Sequence, residues 1–442
     1  MSASTALESW GRNPRARQEA FPLFWSTDTP PFHSLHGSVL PYGRGRSYGD
    51  VCLNDGGTLL LTERLDHFLA FDTEAGRLRC EAGVCLDRIL DLIVPRGWFL
   101  PVTPGTKFIT VGGAVANDIH GKNHHRMGTF GEHVSAFELL RSDGSRRVCS
   151  RAENPDLFRA SIGGLGLTGL ILWVEFRLQR IPTPFIMVEN IKYRGLADFF
   201  TLAQESEAAY EHTVAWVDCL ASGTRLGRGI FMRGNSATPS EAGAARGDGS
   251  KHKLRFPFDA PNWLLNRLSV TAYNALFYHK QWRERQTRLV HYNPFFYPLD
   301  AILDWNRMYG CRGFFQYQFV APMAAAERVV SRVLEKVSQS GAASFLAVIK
   351  TFGQRPRAGM LSFPRPGVTL AMDLANQGDK TLRLLDELDE VVLGDGGVLY
   401  PAKDARMSPQ TFAASYPDWK EFAKHIDPHF SSSFWRRVTH TL

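Results

Sequence analysis

A chain of 442 residues and 49.5 kDa is longer than one hydrophobic core usually serves, so about two or three domains are expected. Hydrophobic residues at 44% and charged residues at 21% are globular proportions and exclude wholesale disorder. Lys and Arg number 51 against 44 Asp and Glu, a formal charge of +7; without a basic run or a zinc-finger spacing, this excess points to a phosphate-bearing cofactor or substrate, or an anionic membrane face, and away from nucleic acid.

Met1 to Trp10 carry neither a basic n-region nor an apolar stretch, which predicts no secretory signal and a cytoplasmic address, with room for peripheral contact on the inner membrane face. Six cysteines (Cys52, Cys80, Cys85, Cys149, Cys219 and Cys311) are scattered without a CxxC spacing and read as reduced thiols. Between residues 39 and 180, glycine-rich turns separate short apolar runs, predicting strands at Thr58–Leu61, Val134–Leu140 and 170–176. The longest uncharged run, 160–174, is interrupted by four glycines and falls short of the ~18 apolar residues of a membrane span, so a soluble protein is expected. Residues 234–253 are rich in Gly, Ala and Ser and predict a mobile surface loop. Residues 263–309 are aromatic and basic with no clean period.

The last third is the most regular. It predicts a strand at 314–319, then a helix at 324–338 with Val329, Val330, Val333, Leu334 and Val337 on one stripe and Gly341 just past its end. Strands at 344–349 and 368–374 follow, then a helix at 381–393 with Leu385, Leu388 and Val392 on one stripe, and a strand at 398–400. The order β-α-β-β-α-β predicts a ferredoxin-like layer with helices on one face and the other face free to cover something. No internal sequence repeat is evident.

Three segments carry chemistry. In Gly43-Arg44-Gly45-Arg46-Ser47-Tyr48-Gly49-Asp50, alternate glycines allow a tight turn that aims successive N–H groups at an anion, with Arg46 and Ser47 as further donors. Neither a Walker A lysine nor a Rossmann βαβ context accompanies it, and a plain turn is the competing reading. The second segment runs from Gly105 through Thr110, Val111, Gly112, Gly113, Asn117 and Ile119 to His120, Lys122, His124 and His125. Its small residues permit close approach by a flat ligand. Its histidines lack an HExxH spacing or a completing Cys or carboxylate set, so no metal is expected. The third, residues 163–171, alternates glycine and leucine before a strand and by itself reads as a turn.

Together, in this order and at these distances, the three segments resemble the FAD-binding domain of the vanillyl-alcohol-oxidase, or PCMH-type, superfamily. The chain is more closely similar to the FAD-dependent decaprenylphosphoryl-β-D-ribose 2-oxidases, in GRSYGD at residues 45–50, VGGAVANDIHGKNHH at 111–125 and GLTG at 166–169. The likeness continues in FYPLD at 296–300, WNRMYG at 305–310, QYQF at 316–319, LSFPRPG at 361–367 and AKDAR at 402–406. It implies an α+β fold with a two-subdomain FAD-binding domain over 1–183, a substrate domain over 184–397 built on an antiparallel sheet covered by helices on one face, and a segment 398–442 returning to the first domain.

The resemblance further implies oxidation of the C2 hydroxyl of a polyprenylphosphoryl ribose to the 2-keto sugar, with a nicotinamide-dependent short-chain reductase completing an epimerisation to arabinose. It assigns the cofactor to residues 43–50, Gly105, Thr110, Val111, Gly112, Gly113, Asn117, Ile119, His120, Ile171 and Tyr400. It assigns catalysis to Lys403, with Tyr48 and His120 bordering the ring, and substrate contacts to Gln316, Gln318, Lys350, Lys122 and Thr369. Gln316 and Gln318, two apart on a predicted strand, share a face by alternation alone. Covalent members of the superfamily carry histidine where Arg46 stands, so the resemblance implies noncovalent FAD. The chain departs from the mycobacterial members in having Ala371 for cysteine, Thr369 for asparagine and Phe296 for tyrosine. Two alternatives stand beside this reading: a sugar-1,4-lactone or other carbohydrate oxidase using oxygen, and a basic binding protein that kept the fold without catalysis.

Overall fold

The computed structural model describes residues 7–245, 254–261, 263–342 and 344–440. Near the N-terminus, Thr58–Leu61 lies between Glu19–Pro22 and Val39–Tyr42 in a parallel three-stranded sheet. An antiparallel five-stranded sheet follows, in the order Phe68–Asp72, Arg77–Glu81, Leu170–Arg177, Val134–Leu140, Arg146–Ser150. Helix Leu86–Ile93 buries Leu86, Ile89, Leu90 and Ile93, a helical spacing, in one cluster with Val111, Ala114 and Val115 of the second motif. That packing holds the glycine-rich segment against the sheet.

The remaining large sheet has eight antiparallel strands. It consists of two βαββαβ units joined edge to edge. The first contains strands Phe185–Tyr193, His212–Val217, Gly229–Ser236 and Arg285–His291, with helices Leu196–Glu207 and Arg267–Lys280. The second contains strands Phe314–Ala321, Ala347–Phe352, Gly367–Ala375 and Val398–Leu399, with helices Ala326–Ser340 and Asp379–Gly394. In both units the spatial order is fourth, first, third, second strand, and the two second strands pair through Ala215 with Ile349 and Trp216 with Val348. The ferredoxin-like layer expected from the sequence is therefore present, and a second layer of the same topology extends it.

Alternation along the strands decides what each face does. Tyr317, Phe319, Ile349, Leu370 and Met372 share a core with Val329, Val333, Leu384 and Leu388 of the two covering helices. The intervening residues Gln316, Gln318, Lys350, Thr369 and Asp373 occupy the opposite face. Helix Ala326–Ser340 stops where Gly341 adopts a left-handed φ of 73°, a conformation that costs glycine little. Each fully buried Val or Leu of its stripe contributes roughly 1.5–3 kcal/mol, so one carboxylate at Val333 would undo the docking.

Three local expectations change. The strand expected at 344–349 runs instead over Ala347–Phe352. Ser344 is taken up by local bonds: its hydroxyl donates to the Leu346 carbonyl and accepts from the Asp373 N–H at 3.1 Å. The glycine-rich stretch 234–253 is partly ordered: Gly229–Ser236 is a strand, and Thr238 with Glu241 forms a capping box on helix Pro239–Ala242. Residues 246–253 lie outside the described residues. Within 263–309, Asn266 caps a 14-residue helix, Arg267–Lys280, by accepting from Leu268 and Ser269. Its apolar residues point both inward and outward, which hid its period.

Candidate active site

The first motif leaves strand Val39–Tyr42 and turns at Gly45, where φ is 58° and a Cβ would fall 2.2 Å from the Tyr42 hydroxyl. Beyond the turn, the Tyr48 N–H donates to the Ala402 carbonyl at 2.9 Å, and a Cβ on Gly49 would overlap the Asp404 carbonyl. The motif is thus pressed onto the loop that carries Lys403. Two of its charged residues have protein partners. Arg44 pairs with Glu63 near the surface, and Asp50 accepts from Arg437 at 2.7 and 2.8 Å. Arg437 also donates to Asp404 at 2.9 Å. Arg46 differs: its guanidinium lies 3.9 Å from the Trp10 ring, its Nε is buried without a hydrogen-bond partner, and burial lowers its pKa.

In the second motif, Thr110 caps helix Val111–Ala116 by accepting from the Gly113 N–H at 3.2 Å, and a Cβ on Gly112 would meet Ala82 at 2.9 Å. The glycine there allows helix and sheet to touch. Gly105 faces open space. Asn117 donates to the Gly113 carbonyl, its own carbonyl accepts from the Tyr400 hydroxyl at 3.0 Å, and its side-chain Oδ1 is buried without a partner. The third motif is brought to the second by backbone bonds, Gly163 N–H to the Val115 carbonyl and Leu165 N–H to the Ala116 carbonyl. Ile171 enters the same cluster as Ile119, Ala114 and Val115.

Past Ile119 the chain meets the polar face of the eight-stranded sheet. Lys350 Nζ lies 3.0 Å from His120 Nδ1 and donates to the Gly121 carbonyl at 3.0 Å. Burial, then the neighbouring Lys350 charge, holds His120 well below its usual pKa, so the ring is neutral. On its other side, His120 Nε2 faces the side-chain amide nitrogen of Gln318 at 3.3 Å. The same amide nitrogen donates to the Thr369 hydroxyl at 3.2 Å. Phe352, Phe363 and Tyr400 surround the imidazole at 4.9 to 6.0 Å. His124 and His125 turn elsewhere, to the Gly353 N–H and the Tyr210 carbonyl. Among the described residues no three His, Cys, Asp or Glu side chains converge as a metal set.

Lys403 follows the edge strand Val398–Leu399 and holds its ammonium 3.9 Å from the centre of the Tyr48 ring. Three half-buried lysines feel one another here. Burial lowers Lys122 and Lys350 to about 7, and Lys403 to about 8, against the opposing influence of Asp373. Lys122 also donates to the Phe295 carbonyl. Asp373 was not singled out by the motifs. Its Oδ1 accepts from Gln316, its Oδ2 is buried without a partner, and burial raises it to about 7. It stands opposite Gln316 in the strand register and two residues beyond Ala371. Strand alternation from Thr369 was the signal that could have found it. Gathered cations with a neutral imidazole and one titrating acid make a site that favours an anionic ligand and can relay a proton near neutrality.

A family model described as an FAD binding domain matches residues 33–150. Decaprenylphosphoryl-β-D-ribose oxidase of Mycolicibacterium smegmatis is 36% identical over 415 residues, covering 90% of this chain and 89% of that protein. A Streptomyces coelicolor protein described as an uncharacterized protein in the mprA 5′ region is 33% identical over 376 residues, 80% of this chain and all of that protein. Human delta(24)-sterol reductase is 29% identical over 219 residues, 49% of this chain and 41% of that protein. The residues present fit FAD: the unpartnered Arg46 Nε is a donor suited to a diphosphate, and the unpartnered Asn117 Oδ1 and the open side of Gly105 suit a polar, flat ring system.

Proposed function

The chain belongs to the decaprenylphosphoryl-β-D-ribose oxidase family, and from that premise we propose that it oxidises the C2 hydroxyl of a polyprenylphosphoryl-β-D-ribose to the 2-keto sugar, using noncovalently held FAD. The observation that carries the reading is the set of three lysines around neutral His120, on the polar face of a sheet whose other face is sealed by helices. Bound FAD supplies a two-electron acceptor for the C2 hydride. Everything else falls to side chains.

In this proposal the cofactor is held by residues 43–50, the second motif, Ile171 and Tyr400. Arg46 binds its diphosphate by charge; a guanidinium is no substitute for the histidine of covalent relatives. Lys350 and Lys122 receive the sugar phosphate, whose negative charge offsets the mutual repulsion of the lysines. Gln316, Gln318 and Thr369 orient the sugar hydroxyls. Lys403 Nζ stabilises the oxygen at C2 as its proton leaves, and the proton passes to the unpartnered Oδ2 of Asp373. Tyr48 and His120 exclude water beside the ring. The division into 1–183, 184–397 and 398–442 belongs to the same proposal.

Oxidation at C2 removes one stereocentre, so the product calls for a separate reductase to complete an epimerisation, and a nicotinamide-dependent short-chain enzyme has the hydride chemistry for it. The test is direct. Absorption after acid precipitation is expected to move all flavin into the supernatant. Lys403→Met is expected to keep that flavin while losing about 10²–10⁴-fold in turnover of prenylphosphoryl ribose. Unchanged turnover would remove Lys403 from the mechanism, and peroxide release with free sugar lactones as good substrates would favour the lactone-oxidase alternative.

A further inference from the structure

We infer that helix Arg267–Lys280, with Trp263 and Trp282 at its two ends, is the surface on which this protein docks to an anionic lipid bilayer. The inference extends the reading of a lipid-linked sugar, made above, to the surface that meets the lipid. Val270, Asn274 and Tyr278 face inward at helical spacing and are buried. The outward face carries Leu268 at 80% exposure and Leu276 at 73%, with Ala272 between them on the same stripe. Trp263 and Trp282 are 72% and 76% exposed. Water-facing leucines framed by tryptophans are costly on a solvated surface and suit the boundary between headgroups and acyl chains.

Charge selects the occupant. Residues 254–291 contain six Arg and Lys and two acidic residues, Asp259 and Glu284. Both acids already have partners: Asp259 binds Arg12 and Arg307, and Glu284 binds Arg194. Arg255 and Arg285 are likewise paired, with Asp304 and Glu189, and Arg267, Lys280, Arg283 and Arg288 give the patch net positive charge around an apolar centre, which attracts anionic headgroups. A second copy would oppose the same positive patch to itself, which disfavours a symmetric dimer through this face.

The patch is also continuous with the candidate site. Tyr273 lies 5.6 Å from Phe345, Phe345 lies 5.8 Å from Tyr309, Tyr309 stacks on Phe314 at 4.2 Å, and Phe314 lies 5.5 Å from Tyr48. Tyr48 is the ring beneath Lys403. A run of packed aromatic rings thus joins the exposed helix to the Tyr48 ring beside Lys403, where the sugar would be oxidised.

The experiment uses full-length, flavin-loaded protein and sedimentation with vesicles of phosphatidylcholine, alone or with phosphatidylglycerol. Binding is expected only with phosphatidylglycerol present, and is expected to weaken in high salt. The double substitutions Leu268→Glu with Leu276→Glu, and Arg283→Glu with Arg288→Glu, are each expected to lower the bound fraction by about tenfold or more. Both variants should keep wild-type melting and wild-type turnover of a short-chain, water-soluble prenylphosphoryl ribose. Absence of binding to either vesicle, or equal binding by wild type and both variants, overturns the inference. So does a wild-type dimer without vesicle binding that the leucine variant dissolves, which would assign the face to a second copy. Protein that binds vesicles through this helix but leaves short-chain prenylphosphoryl ribose unoxidised supports the docking surface and overturns the substrate reading.

Discussion

The two βαββαβ units share one strand order but use their second helices differently. In the C-terminal unit, Asp379–Gly394 lies on the sheet beside Ala326–Ser340 and buries Leu384, Leu385, Leu388, Val391 and Val392. Its counterpart Arg267–Lys280 buries only Val270, Asn274 and Tyr278. Phe277 of that helix approaches Trp216 at 4.7 Å, and Trp216 alternates with the core residues Ala215 and Val217, so the helix reaches the side of the sheet that Leu196–Glu207 leaves free. Covering one face completely leaves the other available for polar groups. Moving a helix off that duty leaves it with an apolar side and nothing within the unit to bury it against. One topology thus yields a site in one half and an exposed apolar helix in the other.

The sharpest contrast is in stability. Leu388→Ala should cost about 2–5 kcal/mol in urea unfolding, because the cavity lies in a sealed core. Next comes the polar face of the same unit: Lys350→Met should lower kcat/KM for prenylphosphoryl ribose by roughly 10–100-fold, the scale of a charge-assisted hydrogen bond, with melting little changed. Asp373→Asn tests the proton path. Asp373 holds the lowered pKa of Lys403 up, so removing its charge lets Lys403 lose its proton at lower pH. Turnover should fall for want of the proton acceptor, the alkaline limb of the remaining kcat/KM should move down by about one pH unit, and an unmoved limb would separate Asp373 from Lys403. The smallest effect belongs to the first unit, where Leu276→Ala should stay within about 0.5 kcal/mol of wild type. A cost comparable to that of Leu388→Ala would abolish the contrast between the two helices.

The legible parts of the sequence are those where one face is buried. The stripe Val329, Val330, Val333, Leu334 and Val337 announced its helix because solvent and core lie on opposite sides of it. Helix Arg267–Lys280 was illegible for the converse reason: Leu268 and Leu276 are apolar and outward, so no single periodic face emerged. The doubled sheet was equally hidden, since no evident sequence repeat accompanies the strand order that its two halves share. For the candidate site, the glycine motifs gave the loop segments, while Gln316, Gln318 and Thr369 followed from strand alternation and family resemblance. Asp373 escaped because nothing local marks it; its environment is made by Gln316 across the strand and by the charge of Lys403 some 30 residues later.

Arg437 ties together two stretches far apart in the chain, Asp50 beside the first motif and Asp404 beside Lys403. Its helix, Ser433–Thr439, fastens the same region again through Ser433 to Asp55 and Arg436 to Asn54. During synthesis, residues 43–50 emerge early and Lys403 late, and the fastener that registers one against the other emerges later still. Without the Arg437 guanidinium, the fold would hold a buried carboxylate at residue 50 with its cation removed, and the first motif would lose its tie to the Lys403 loop.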